Sequence, residues 1–160
     1  MIEKIVTGGQ AGAEQEAWSA ARRAGIATGG YMPRGFATED GPRPRLGMLY
    51  GAIEFPLDDA TRARANLRRA DALLWLGDPL SDDGRAAIDA CRELAKPFLA
   101  AEPGLSSPSD VVSWMIVFEV KTLVIAASPA SRAPDLGPRV GRFLDTVLAG
   151  VRSRTAGLQE

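Results

Sequence analysis

The feature that most constrains this chain is an alternation. Short runs rich in Ile, Val and Leu are each followed by a longer amphipathic stretch, and the pattern recurs along most of the sequence. Ile2 to Val6 reads as a buried strand. Ala13 to Ala24 reads as a helix, with Ala17, Trp18 and Ala21 on one face and Gly25 as its stop. Ile26 to Gly30 is a second short strand. Asp59 to Ala70 spaces Ala60, Ala63, Leu67 and Ala70 for one helical face. Ala72 to Leu76 is a third strand, Arg85 to Ala95 a helix, and Pro97 to Ala100 a fourth strand. Ser109 or Asp110 is placed to cap a helix running to about Val120, and Leu123 to Ala126 is a fifth strand. Val140, Phe143, Leu144, Val147, Leu148 and Val151 form the apolar stripe of a last helix.

Apolar strands separated by helices indicate a parallel sheet covered on both faces. The expected fold class is α/β: one three-layer domain over residues 1–151, built on a mostly parallel sheet of about five strands. A length of 160 residues suits a single core. Arg152 to Glu160 is expected to fray.

In such sheets ligands bind beyond the carboxyl ends of the strands. That directs attention to Gly8–Glu14, Gly30–Asp58, Gly77–Gly84 and Ala127–Gly137. In the first, Gly8, Gly9 and Gly12 either bring backbone N–H groups close to an anion at a helix N-terminus or serve as a packing turn. Gln10 at the loop tip can both donate and accept. The stretch from Gly30 to Asp58 is rich in Gly and Pro, with a short extended piece at Ala52 to Phe55. A loop of that length inside a compact domain is usually functional. Within it Arg34, between Pro33 and Gly35, is a candidate fork for an anionic oxygen. Glu39-Asp40-Gly41-Pro42 is either a turn or a carboxylate for a ribose hydroxyl, a pterin N–H edge or a metal. Asn66 sits in a helix that it does little to stabilise, so it is either polar machinery or surface. Ser81-Asp82-Asp83-Gly84 suits a helix cap, and Ser128 to Arg132 suits an anion or a turn.

With no histidine and Cys91 as the single cysteine, a disulfide within the chain, a His-based triad and a Cys/His zinc site are all excluded. Cys91 shares a helical face with Ile88 and Leu94 and reads as a small buried hydrophobe. The net charge of −1 argues against a general nucleic-acid or membrane-surface binder. Arg62, Arg64, Arg68 and Arg69 read as a solvated helix face. No segment resembles a signal peptide or a transmembrane span, which makes the cytoplasm the default location.

The loops together resemble a family. Ile5-Val6-Thr7-Gly8-Gly9-Gln10-Ala11-Gly12-Ala13-Glu14, then Gly25-Ile26-Ala27-Thr28-Gly29-Gly30-Tyr31-Met32-Pro33-Arg34-Gly35, then Glu39-Asp40-Gly41-Pro42 are similar to the molybdenum cofactor carrier-like family. That family belongs to the wider superfamily of lysine-decarboxylase-like phosphoribohydrolases. The match continues at Asn66, Arg69-Ala70-Asp71 and, more weakly, Ala126 to Pro129. The resemblance implies a Rossmann-like fold, homo-oligomeric assembly, and a pocket for molybdenum cofactor (molybdopterin), another pterin or a nucleotide-like anion. The ligand residues it implies are Gly8, Gly9, Gln10, Gly12, Gly30, Arg34, Gly35, Glu39, Asp40, Gly41, Asn66 and Ser128, with no catalytic residue assigned.

Several positions depart from the family. Ala11 and Glu14 stand where it has Thr and Asp. Asp82 and Asp83 stand where a glycine-rich cradle is expected, and would repel a phosphate if they faced the pocket. Arg132 is displaced from the place of the family arginine. The Pro-Gly-Gly-x-Gly-Thr motif of the phosphoribohydrolases is absent. Three functions follow: a binding protein for an anionic small molecule, a nucleotide or glycosidic-bond hydrolase using Glu14, Glu39 or Asp40, or an oligomeric module with a degenerate site.

Overall fold

A computed structural model describes residues 1–159. In chain order the strands are β1 (Lys4–Val6), β2 (Ala27–Pro33), β3 (Ala37–Thr38), β4 (Gly41–Pro42), β5 (Ala52–Phe55), β6 (Ala72–Leu76), β7 (Phe98–Ala101) and β8 (Thr122–Ala127). The helices are α1 (Ala13–Arg23), α2 (Arg45–Tyr50), α3 (Asp59–Arg68), α4 (Asp82–Glu93), α5 (Pro108–Val117) and α6 (Leu136–Gly157). Six strands form one sheet in the order β5-β2-β1-β8-β6-β7, and every pairing in it is parallel. The expected α/β, Rossmann-like architecture is the observed one.

The period of two along the strands divides the core. Ile5, Leu74, Leu76, Leu123 and Ile125 point to the layer that holds α1, α5 and α6. Their neighbours Val6, Leu73, Trp75 and Val124 point the other way, onto Leu67, Ala70, Ala90 and Cys91 of the α3–α4 layer. Each such side chain contributes roughly 1.5–3 kcal/mol when fully buried, so the sheet centre carries much of the stability. The predicted stripe of the last helix is buried in full, from Val140 to Val151, and packs on α1 and α5. Ala13, Ala17, Ala20 and Ala21 give α1 a smooth buried face, which lets α6 lie close.

Four expectations change. The sheet has six strands, because Ala52–Phe55 pairs with β2 as an edge strand. The stretch after Gly30 is not one loop: β2 runs on to Pro33, a 3-10 turn covers Arg34–Phe36, β3 and β4 form a small hairpin, and α2 follows. Leu46 of α2 is buried with Trp18, Met32 and Ala52, a contact between distant segments that no local periodicity reveals. α4 begins at Asp82, not Arg85, because Ser81 caps it by accepting from Gly84 N at 3.1 Å. Finally, α6 continues through Arg152 to Gly157, where a frayed tail was expected. Arg154 there donates to Ser109 and Ser113 of α5.

The topology positions the site. β8, the last strand in the chain, enters between β1 and β6. The loops that leave β1 and β8 are therefore side by side, joined where Ala130 N donates to Ala11 O at 3.0 Å. Among the described residues no helix is long and apolar enough to cross a membrane.

Candidate functional site

The β1–α1 loop is folded by packing before it does anything else. Thr7 is fully buried. Its hydroxyl accepts from Gly9 N at 3.0 Å, and its own N–H donates to Gly29 O at 3.2 Å. Gly30 lies so close beneath it that a Cβ there would stand 2.0 Å from Thr7 O. Gly9 has φ +75°, and a Cβ would sit 2.8 Å from Met32 Sδ and 2.9 Å from Trp18 Cη2. Gly9 and Gly30 thus carry close approach of backbone and core. Gly12 caps α1 with no side-chain bond and faces Ala130 of the β8 loop. Gln10 stands half-buried at the tip.

Glu14 fills the space that glycines were expected to leave for an anion. Its carboxylate accepts from Gln10 N at 3.2 Å and from Ala127 N at 3.4 Å. Burial pushes its pKa up to about 7, against the pull of those N–H groups and of the Arg62 charge.

Arg62 is a correction to the reading of a solvated basic face. It is only 8% exposed. Nη2 donates to Asp59 Oδ1 at 2.9 Å, Nη1 lies over Gly8, and Nε is buried with no hydrogen-bond partner.

A second cluster borders this one. Asp83, in the first turn of α4, accepts from Ser128 Oγ at 3.0 Å and from Arg132 Nε at 2.8 Å. Ser81, Asp82, Asp83, Ser128 and Arg132 line an open cleft of about 550 Å³. Glu39 reaches over from the β3–β4 turn and accepts from Ser131 N at 2.8 Å. The Ser131 hydroxyl and N–H hold the Glu39 carboxyl below the usual carboxylate range. The anticipated repulsion by acids is therefore halved in place, since Arg132 neutralises Asp83.

The structure gathers Gly8, Gln10, Gly12, Glu39 and Ser128, while Gly9 and Gly30 support them from below. It uses the others differently. Gly35 N donates to Glu54 Oε1 at 2.6 Å, which ties its turn to β5, and the neighbouring Arg34 is exposed. Asp40 and Gly41 close the hairpin: Thr38 Oγ1 accepts from Asp40 N and donates to Gly41 O. Asn66 is buried, but its amide is engaged by one residue. Oδ1 accepts from Tyr31 N at 2.8 Å, and Nδ2 donates to Tyr31 O at 3.3 Å.

Arg62 is the residue that sequence reasoning missed. One signal was available: Arg62 and Asn66 are four apart in one helix and share a face, and Asn66 is itself a candidate polar residue. The burial of Cys91 agrees with its reading as a core residue, and burial pushes its thiol up to about 11.

The profile of a family described as the circularly permutated YpsA SLOG family (cpYpsA) matches residues 5–148. Among solved structures, a protein described as "Putative molybdenum carrier protein" from Syntrophus aciditrophicus SB is similar at a TM-score of 0.81 and 27% identity. The match covers 92% of this chain and 95% of that one. No curated protein matches the chain significantly.

Proposed function

The chain belongs to the circularly permutated YpsA SLOG family, and from that premise we propose that it is a binding protein for an anionic small molecule of the pterin or nucleotide type, with molybdenum cofactor as the leading candidate. One observation carries this reading. The loop after β8 is bonded to the segments after β1 and β6, and an open cleft lies between the β6 and β8 segments, at the centre of a parallel sheet, where α/β proteins hold such ligands. The similar structure described as a molybdenum carrier supports the choice of candidate.

The donor set suits the organic part of that ligand. Asp82 and Asp83 can accept from the amino and N–H edge of a pterin or purine, and Ser128 with Arg132 can take phosphate oxygens. Among the described residues no three His, Cys, Asp or Glu side chains converge on one point. A metal would therefore arrive held by its own organic ligand, and this chain would bind and orient that ligand without supplying metal ligands. Thermal melting tests the reading. A ligand present at 100 times its dissociation constant adds about 2.7 kcal/mol. If no pterin, nucleotide or molybdopterin shifts the melt, the proposal fails.

Glu14 favours a second reading, hydrolysis of a nucleotide or glycosidic bond. A carboxyl with a pKa of about 7 can exchange protons near neutrality. Incubation with nucleoside monophosphates would then release free base, and no release from any of them removes this reading. Assembly with further copies of the chain is part of the proposal. It is supported by the exposed Met48, Leu49, Ile53 and Leu57 at and around edge strand β5, and light scattering on the purified protein tests it.

A further inference from the structure

Arg62 is buried, charged and only partly satisfied. One arm, Nη2, donates to Asp59, an acid whose side chain is 89% exposed. Nε has no partner. The other arm points at the β1–α1 loop: Nη1 lies 2.9 Å from where a Cβ on Gly8 would stand, and Glu14 Oε1 lies 3.0 Å from the same point. Among the described residues, no ion pair closes between the two groups. A guanidinium drawn from water without full partners costs folding free energy, which an accepting anion offsets.

We propose that the place the Glu14 carboxylate now fills, over Gly8 and beside the Arg62 guanidinium, is an oxyanion subsite, with Arg62 as its cation and Glu14 as the internal carboxylate that an incoming oxyanion displaces. The inference rests on the reading of the chain as a binder of anionic ligands. It names the group gripped: a phosphate-type terminus or a free oxyanion of that shape.

The N–H groups of Gln10 and Ala127 that such a group would use are those Glu14 now takes. The two groups cannot share the place, and two adjacent anions repel strongly away from bulk water, so entry requires the Glu14 carboxyl to swing aside, which uptake of a proton eases. The charged groups around it are few. From α3, Arg62 faces it. The β1–α1 loop and β8 present only N–H groups. Asp59 is held on a different arm of Arg62, facing solvent, and Asp83 of α4 is paired with Arg132. Oxyanion binding is therefore linked to one proton at Glu14. Burial pushes that group up to about 7, so the proton is available near neutrality.

Sulfate is the probe, because its charge does not change across the neutral range. Calorimetric titration of the whole protein at about pH 6 and about pH 8 should show sulfate bound about tenfold more tightly at the lower pH. Glu14→Gln should abolish that dependence. Arg62→Gln should weaken sulfate by about tenfold or more at both values, with partial recovery in Arg62→Lys. If Arg62→Gln does not fold, Gly8→Ala, whose Cβ enters the same space, should give the same loss. A nucleoside monophosphate that outcompetes sulfate where its nucleoside does not would identify a phosphate terminus; sulfate bound with neither competing would identify a free oxyanion. Either assigns the subsite. Equal sulfate affinity at both pH values, undiminished binding to the Arg62 variants, or no sulfate binding overturns the inference. If nucleotide or pterin binding survives those failures, only the subsite is lost. If these fail to bind as well, the reading as an anion binder goes with it.

Discussion

Asp83 and Arg132 hold each other at the mouth of the cleft. Arg132 Nε donates to Asp83 Oδ2 at 2.8 Å, and Nη2 donates to Oδ1 at 3.1 Å. The pair is two-pronged, and Arg132 is also drawn on by Glu39 and Asp82. In the free protein a cation suited to a phosphate is occupied by an acid of its own chain. Asp83→Ala should release it and tighten binding of inorganic pyrophosphate by about three- to tenfold. Arg132→Ala should weaken binding by a similar factor. Both variants should melt within about 1 kcal/mol of the parent, because the Arg132 side chain is 62% exposed and such pairs add little stability. Titration calorimetry with parallel melts checks both halves.

Glu14 predicts how stability varies with pH. Its pKa is raised in the folded state from an ordinary 4.5 to about 7. The folded protein therefore binds this proton more tightly than the unfolded chain does, and the group favours folding most when protonated. Its contribution is fully present below about pH 4.5, falls as pH rises toward 7, and stays low above. Urea unfolding should show a loss on the order of 3 kcal/mol from this group across that window. Glu14→Gln should flatten the slope, whatever its effect on absolute stability.

Two glycines in the same segment should respond to very different degrees. Gly30→Ala places a methyl 2.0 Å from Thr7 O, and two backbones cannot move apart without unzipping β1 from β2. The variant should fail to fold or lose more than about 4 kcal/mol. Gly35→Ala has a φ of +71° but nothing within 4 Å, so it should cost only about 1 kcal/mol. Expression yield and chemical denaturation separate the two.

Asn66 is expected to be a strut for β2. Asn66→Ala removes both bonds to the Tyr31 peptide and should cost about 1–3 kcal/mol. Pyrophosphate affinity should change by less than about threefold once folding is accounted for. A large affinity loss with unchanged stability would return Asn66 to the ligand.

The layered α/β fold was legible because its signals are local. Leu73-Leu74-Trp75-Leu76 is apolar on both faces, and such a strand needs a cover on each side. The Val140 to Val151 stripe has one helical period. Capping residues in Ser81 to Gly84 announce a helix there, though its start falls at Asp82 and not at Arg85. Less legible was the segment after Gly30. α2 is short and has few local signals, and it is held by Leu46 packing on Trp18 and Met32.

The candidate site divides along the same line. From the sequence alone it followed that a glycine loop ends the first strand, that acids and hydroxyls gather in the later loops, and that a His-based triad, a Cys/His zinc site and a disulfide within the chain are closed to it. These depend on residue type and on short spacing. Only the tertiary structure decided that Glu14 turns back onto the N–H groups of its own loop, that Arg62 is buried over Gly8, that Arg132 is paired with Asp83, and that Asn66 braces Tyr31. Each joins segments brought together by the insertion of β8 between β1 and β6 or by the packing of α3 against β2 and the β1–α1 loop. Charge and desolvation act through space, so which acid meets which arginine is set by the fold and not by the order of the residues.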